Sequence, residues 1–205
     1  MTEITGRTSK GGLKTWLFRG TGLARVEAES FSAEEMAAEN GNAYLFHGVC
    51  RTATAATGVL MYIKNTFTDK DLVVGRIFID PRTLTDADML INILLNPATV
   101  TAGTDTTTTG IVQKNSGAVN ALAVSGATLK VSDASSDMTF TGGTEAHSIP
   151  LTSRTPVPRD LGDTNVIGPG QEWIIAFALE DGSATVTDQI ISLSVNAYIR
   201  NVDRE

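Results

Sequence analysis

The stretch Gln189-Ile190-Ile191-Ser192-Leu193-Ser194-Val195-Asn196-Ala197-Tyr198-Ile199-Arg200 decides the fold class. Ile191, Leu193, Val195, Ala197 and Ile199 alternate with Ser192, Ser194, Asn196 and Tyr198. Side chains of an extended strand point to opposite faces in turn, so a period of two predicts a strand with one dry and one wet face. Working back from there, Trp173–Leu179 places Trp173, Ile175, Phe177 and Leu179 on one face, and Met89–Leu95 does the same with Met89, Ile91, Ile93 and Leu95. Asp71–Asp80 puts Val73, Gly75, Ile77 and Ile79 together, Gly58–Asn65 puts Val59, Met61 and Ile63 together, and Ala43–Cys50 is the first strand of the series.

Turn residues punctuate these runs. Thr68-Asp69-Lys70-Asp71 links two of them, Asp80-Pro81 stops the third, Asp181-Gly182 separates the last two, and Gly168-Pro169-Gly170 leads into the penultimate strand. The middle is less regular. Thr101–Gly110 reads as a Thr/Gly loop, while Ala121–Val124, Ala127–Val131 and Met138–Thr141 supply further short strands, about eight or nine in all. Many short antiparallel strands without intervening helices predict a sandwich or barrel. One helix is expected: Ser32 and Glu35 fit a capping box, Ala33–Glu39 are good helix formers, and Asn40-Gly41 ends the run.

Charge divides the chain. Residues 1–26 hold five basic residues (Arg7, Lys10, Lys14, Arg19, Arg25) against Glu3, a balance of +4; the rest holds 11 basic against 22 acidic, a balance of −11. Five glycines in that first segment oppose regular helix, yet Leu13, Trp16, Leu17 and Phe18 are too large and apolar for an ordinary linker. The expected organisation is an extended arm over residues 1–30 and a β-domain over residues 31–205. Leu13, Lys14, Trp16, Leu17, Phe18 and Arg19 are the candidate contacts to a partner, the cations engaging acidic groups.

The residues supply no catalytic constellation. His47 falls on an expected strand and His147 in an expected loop, with no nucleophile elbow and no zinc-type spacing nearby. Glu34/Glu35, Asp69/Asp71, Asp86/Asp88 and Glu180/Asp181 sit at turns or on the short helix, where acids accept backbone hydrogen bonds, and neither Asp-x-Asp carries the rest of a calcium loop. Gly41, Gly48 and Gly58 do not form a phosphate cradle. Cys50, alone in the chain, reads as a buried apolar side chain. No metal or cofactor is expected. The basic segment is too sparse for a nucleic-acid patch, and no run is long enough for a membrane span. Leu13–Leu17 is too short for a signal sequence and is interrupted by Lys14, so a cytosol-like site of synthesis is expected. A sugar-binding groove would need exposed aromatics; Tyr44, Tyr62 and Tyr198 are the candidates, Trp173 being assigned to the core.

Two groups of strings carry a resemblance. The first is Ala37-Ala38-Glu39-Asn40-Gly41-Asn42-Ala43-Tyr44, Met61-Tyr62-Ile63-Lys64-Asn65, Asp69-Lys70-Asp71-Leu72 and Val73-Val74-Gly75-Arg76-Ile77-Phe78-Ile79. The second is Asn165-Val166-Ile167-Gly168-Pro169-Gly170-Gln171-Glu172-Trp173 with the ending Asn196-Ala197-Tyr198-Ile199. Over residues 37–80 and 165–200 the chain resembles the capsid decoration (cement) proteins of tailed bacteriophages. The resemblance implies an all-β, jelly-roll-like antiparallel β-sandwich with no enzymatic activity. It implies a homotrimer bound to the major capsid protein on the capsid exterior of the virion, assembled in the host cytoplasm. The rival expectations are a fibre or tail-adaptor component, disfavoured by the few residues after the last strand, and a carbohydrate-binding β-sandwich module.

Overall fold

The computed structural model describes residues 2–7, 13–18, 24–27, 34, 37–38, 41–52, 57–83, 89–101, 103–114, 126–133, 138–152, 154–179 and 189–201, with residues 2–27 and 163 described by backbone alone. Every ladder is antiparallel. Eight long strands divide between two sheets and change sheet at every step along the chain except from the fourth to the fifth. Strands β4 (Ala43–Thr52), β6 (Lys70–Thr83), β14 (Val157–Ile167) and β16 (Gln189–Asn201) enter one sheet. Strands β5 (Thr57–Asn65), β7 (Met89–Leu95), β13 (Thr144–Leu151) and β15 (Glu172–Leu179) enter the other. With β10 (Ile111–Gln113), the first sheet has the order β10-β4-β16-β6-β14; with β11 (Ala127–Val131) and β9 (Thr104–Asp105), the second has the order β13-β7-β15-β5-β11-β9.

One apolar cluster joins the sheets. Phe46, Cys50, Ile77, Ile79, Leu193 and Val195 from the five-stranded sheet meet Met61, Ile63, Ile91, Ile93, Trp173 and Phe177 from the six-stranded one. The protein is therefore an antiparallel β-sandwich, as the alternation predicts. Burying a side chain of this size contributes about 1.5–3 kcal/mol, so this layer dominates the stability of the fold. At Gly48 on β4, an added Cβ would lie 2.4 Å from Val131 Cγ1, so the missing side chain lets β11 approach β4 across the sandwich edge.

The facing follows the sequence reading on β7, β15 and β16, although Ser192 and Tyr198, expected on the wet face of β16, are buried, and it departs from that reading on β5 and β6. On β5 the register slips so that Ile175 faces Met61 but Ala176 faces Val59, leaving Leu60 as an extra residue. Leu60, Met61 and Ile63 enter the central core, and Val59 turns to the opposite face. On β6, Asn196 faces Arg76 and Ala197 faces Val74, so Gly75 is the extra residue. Leu72 and Val74 point inward below this bulge, Ile77 and Ile79 above it, and Val73 points out. A bulge inserts one residue without advancing the partner strand and so reverses the facing of everything beyond it. Pro81 does not stop β6 either: the strand continues to Thr83. Pairing with β14 ends at Ile79, so beyond it one side of β6 is open and a residue without an N–H is tolerated there.

Two strands that the sequence reading does not name, β13 and β14, are sheet edges with exposed polar residues and prolines. His147 accordingly lies on a strand and not in a loop. The expected loop 101–110 contains the end of β8 (Thr99–Thr101), strand β9 and a four-residue helix α1 (Thr107–Gly110). This helix forms because Asp105 Oδ1 accepts from the Thr107 N–H, while the buried Thr107 hydroxyl accepts from the Leu129 N–H at 2.9 Å. Ala127–Val131 is a strand as expected, as is Thr139–Thr141 (β12) beside Met138, whereas 121–124 lies outside the described residues, as does Asp181-Gly182. Of the expected helix, Glu34, Ala37 and Ala38 are helical, and its capping residues Ser32 and Glu35 lie outside the described residues. Its end is well defined: Gly41 has φ 72°, its N–H donates to Ala38 O, and the Asn42 N–H donates to Ala37 O. That pair of bonds is the Schellman arrangement.

The N-terminal segment is not a single extended arm. Strands β1 (Thr2–Arg7), β2 (Leu13–Phe18) and β3 (Ala24–Glu27) form a three-stranded antiparallel meander that is a sheet of its own.

Candidate interaction surfaces

The two outer faces of the sandwich are finished differently. On the six-stranded sheet, Val59, Tyr62, Leu94, Ile174 and Ala176 form a second apolar cluster with Met138. A separate two-stranded ribbon, β8 paired with β12, packs Val100 and Phe140 against it and turns Thr99, Thr101, Thr139 and Thr141 outward as two hydrogen-bonded pairs. Beside the ribbon, Lys64 Nζ donates to Glu172 Oε1 at 3.0 Å. Burial, and then the hydrogen bond and charge of Glu172, push the Tyr62 phenol far above its ordinary range.

On the five-stranded sheet, the described residues cover one end of the outer face. There Ala37 and Ala38 of the short helix pack on Ala43, Val73, Tyr198 and Val166. Among the described residues no further element packs on the rest of the face, although Ser192 within it is buried, and its register defines three rows across the strands. Val49, Ser192 and Asp80 form the first; His47, Ser194, Phe78 and Pro158 the second; Leu45, Asn196, Arg76 and Asp160 the third, with Val112 of β10 beside Leu45. Val49, Phe78 and Val112 are 41%, 45% and 51% exposed, the large apolar side chains most open to solvent among the described residues. Arg76 pairs with Asp160 at 3.4 Å and Arg82 with Asp80 at 3.7 Å, both in the open. The Gly162 N–H and the Arg76 guanidinium hold the Asp160 carboxyl below its ordinary range.

At one end of the sandwich the sequence strings 61–65 and 165–173 meet. Asn65 is fully buried; its amide Nδ2 donates to Lys70 O at 2.8 Å and Ile167 O at 2.7 Å, and its Oδ1 accepts from the Phe67 N–H at 3.0 Å. Its backbone exchanges bonds with Gly170 and Gln171. One residue thus fastens the ends of β5, β6 and β14 through its side chain and the turn entering β15 through its backbone. This is a structural joint, with its polar groups satisfied as burial demands.

Of the arm residues expected to contact a partner, Leu13, Lys14, Trp16, Leu17 and Phe18 lie along β2, which pairs Trp16 with Ile4 and Val26; Arg19 lies outside the described residues. His47 Nδ1 lies 2.9 Å from Ser194 Oγ across the open face, and His147 Nε2 lies 3.1 Å from Asn165 Nδ2. No carboxylate orients the His47 ring among the described residues, and without one a Ser–His pair is not a working triad. Asp71 is paired with Arg200 at 2.9 Å and Glu34 with Lys114, while Glu35, Asp86, Asp88, Glu180 and Asp181 lie outside the described residues. Among the described residues no group of three or more His, Cys, Asp or Glu is placed to hold a metal ion. Cys50 is buried, which pushes its thiol far above the ordinary range. None of the three tyrosines is open to solvent: Tyr44 is buried in the central core with Trp173, while Tyr62 and Tyr198 lie on the outer faces but are buried beneath the elements that cover them. Phe78 is the exposed aromatic that the sequence reading missed; its alternation with Ile77 and Ile79 is the signal that places it outside. Comparison with family models, curated proteins and solved structures finds no match to the chain.

Proposed function

We propose that this chain is a non-enzymatic structural protein of jelly-roll type, a decoration protein that sits on the major capsid protein lattice of a phage head and stabilises it as a homotrimer. The observation that carries the reading is the strand order. In the sequence of its eight long strands, one sheet runs first-eighth-third-sixth and the other second-seventh-fourth-fifth, the interleaving expected of two Greek keys wrapped into a jelly roll. Three of the strings that carry the resemblance, 61–65, 69–72 and 165–173, meet at the structural joint around Asn65 in that arrangement. A sandwich fastened in this way presents rigid faces to neighbours, and many copies around a closed shell sum weak contacts into a strong one.

The reading is tested with purified protein and capsids of the phage that encodes it, emptied of this chain. Saturable co-sedimentation with heads, and gold label spread over the head surface, are the expected results. Removal of residues 2–26 is expected to weaken binding at least about tenfold if the meander clasps a neighbour. Label confined to the tail would overturn the proposal in favour of a fibre or adaptor component. The carbohydrate-binding alternative has less support, since the tyrosines it needs are buried.

A further inference from the structure

We propose that the open face of the five-stranded sheet is a self-docking surface, on which a second copy of this chain packs about a two-fold axis crossing the strands. The inference is independent of the capsid reading. The edges of the sandwich discourage edge-to-edge pairing. Edge strand β13 carries Pro150 and a bulge between Glu145 and His147; edge strand β14 carries Pro158 and an irregularity between Asp160 and Asn165; β10 and β9 are three and two residues long. Bulges, prolines and short strands are the devices that prevent one sheet from adding to another. The six-stranded sheet's outer face is roofed by its ribbon. Among the described residues of the sandwich, the face around Phe78 remains.

That face is self-complementary. An isologous contact puts the same patch on both partners, so residue i meets j and j meets i. With the axis along the row His47–Ser194–Phe78–Pro158, each strand lies over its own counterpart in the opposite direction, as in aligned sheet packing. Phe78 then meets the partner copy's equivalent ring. On β6 the residues two places either side of Phe78 are Arg76 and Asp80, so each copy's Arg76 faces the other's Asp80. On β4 the residues two places either side of His47 are Leu45 and Val49, so apolar meets apolar. On β16, Ser192 faces Asn196 and both are small enough to let the walls close. Charge therefore matches charge on one strand, and apolar matches apolar on another, under a single operation. The basic N-terminal meander is a poorer occupant, because this face already holds Arg51, Arg76 and Arg82 against Asp80 and Asp160.

Five strands about 4.8 Å apart and three rows of residues give roughly 400 Å² per copy. The total of about 800 Å² lies at the weak end of specific contacts, so association is expected at a few hundred micromolar protein. Sedimentation equilibrium of the full chain over that range, at low salt, tests it. Arg76→Asp and Asp80→Arg are each expected to raise the dimer dissociation constant about tenfold, since each turns two attractive pairs into two repulsive ones. An equimolar mixture of the two variants is expected to associate as well as the parent, because every Asp then faces an Arg. Phe78→Ser is expected to abolish association. Because Arg76 and Asp80 also pair within their own copy, urea midpoints confirm that the variants are folded. A chain that stays monomeric throughout overturns the proposal. So does association that the single reversals leave unchanged, or a mixture that fails to recover. Variants that lose binding to capsid heads while self-associating normally would assign the face to a different partner, and would also overturn it.

Discussion

The outer face of the six-stranded sheet and the outer face of the five-stranded sheet start from similar material and end differently. Both carry apolar residues on their solvent side. On the first, Val59, Leu94 and Ile174 are buried under the ribbon that carries Val100 and Phe140; on the second, Val49, Phe78 and Val112 remain 41–51% exposed. The cause is local. The bulge at Leu60 turns Val59 outward and so widens an apolar patch that water would penalise, and the chain covers it with a ribbon in which threonines occupy the outer side. The other sheet mixes polar residues among its apolar ones, with Ser194 between His47 and Phe78 and Asn196 between Leu45 and Arg76, which lowers the cost of leaving Val49, Phe78 and Val112 exposed.

The largest test of this difference places the same carboxylate on each face. Ile174→Asp puts an unpaired charge into a buried apolar cluster and is expected to cost more than about 4 kcal/mol, enough to unfold a marginal domain. Phe78→Asp, on the open face, is expected to change stability by less than about 1 kcal/mol. Urea denaturation followed by tryptophan fluorescence reads both, and equal losses would mean that the two faces are equally covered.

Asn65 is expected to come next, because it ties both sheets together. Asn65→Ala leaves the Lys70 and Ile167 carbonyls and the Phe67 N–H without their partner. Stranding buried groups of this kind costs about 1–3 kcal/mol each where water cannot replace the lost bond, so a loss of about 3 kcal/mol is expected. A loss below about 1 kcal/mol would show that water enters this joint, and that the two sheets are fastened elsewhere.

How far all this can be read from the sequence depends on the element. Strands β7, β15 and β16 keep strict alternation, and their inward faces are legible in the sequence, because each runs between two neighbours without a bulge on its own chain; the burial of Ser192 and Tyr198 on the other face of β16 is not. The β6 bulge had a signal, an isolated Gly75 within an apolar run, which marks a break in pairing as readily as a packing position. The β5 bulge had none: Val59, Leu60 and Met61 are all apolar, and only pairing with Ala176 and Ile175 decides which one is extra. Edge strands β13 and β14 are polar and proline-bearing because they must discourage further pairing, and those same traits hide them from a search for alternation. The sequence places the candidate contacts Leu13, Lys14, Trp16, Leu17, Phe18 and Arg19 on an extended arm, but short apolar runs separated by glycine-rich stretches also suit a meander, which is what the backbone forms over the described residues. Phe78 was visible in the pattern as the outward residue between Ile77 and Ile79. What hid its interest was the wrong facing assigned to Val73, which made the whole strand look like a simple core element.

A smaller effect comes from thinning the roof. Phe140→Ala on the ribbon is expected to lower stability by about 1–2 kcal/mol, less than a full core truncation because Phe140 is only partly buried. It is also expected to raise the binding of a hydrophobic dye, as Val59, Leu94 and Ile174 become accessible. Val112→Ala on the open face is expected to do neither.

The smallest effect is on proton binding. Tyr62 belongs to the roofed cluster, and burial followed by the nearby Glu172 carboxylate raises its phenol far above the ordinary value. An unfolded tyrosine releases its proton near pH 10, while the folded one holds it. Above that pH the unfolded chain therefore binds fewer protons than the folded one, and stability falls as pH rises, by at most about 1.4 kcal/mol per pH unit for this group. Below pH 9 the group contributes no pH dependence. Alkaline titration of phenolate absorbance should accordingly show Tyr62 ionising late in the parent and earlier in Phe140→Ala, where water reaches the ring. Phe78→Ser should leave the titration unchanged, since Phe78 lies on the opposite side of the sandwich. If Tyr62 ionised in the ordinary range in the parent protein, the ribbon would not be a roof in solution, and the asymmetry between the two faces would disappear with it.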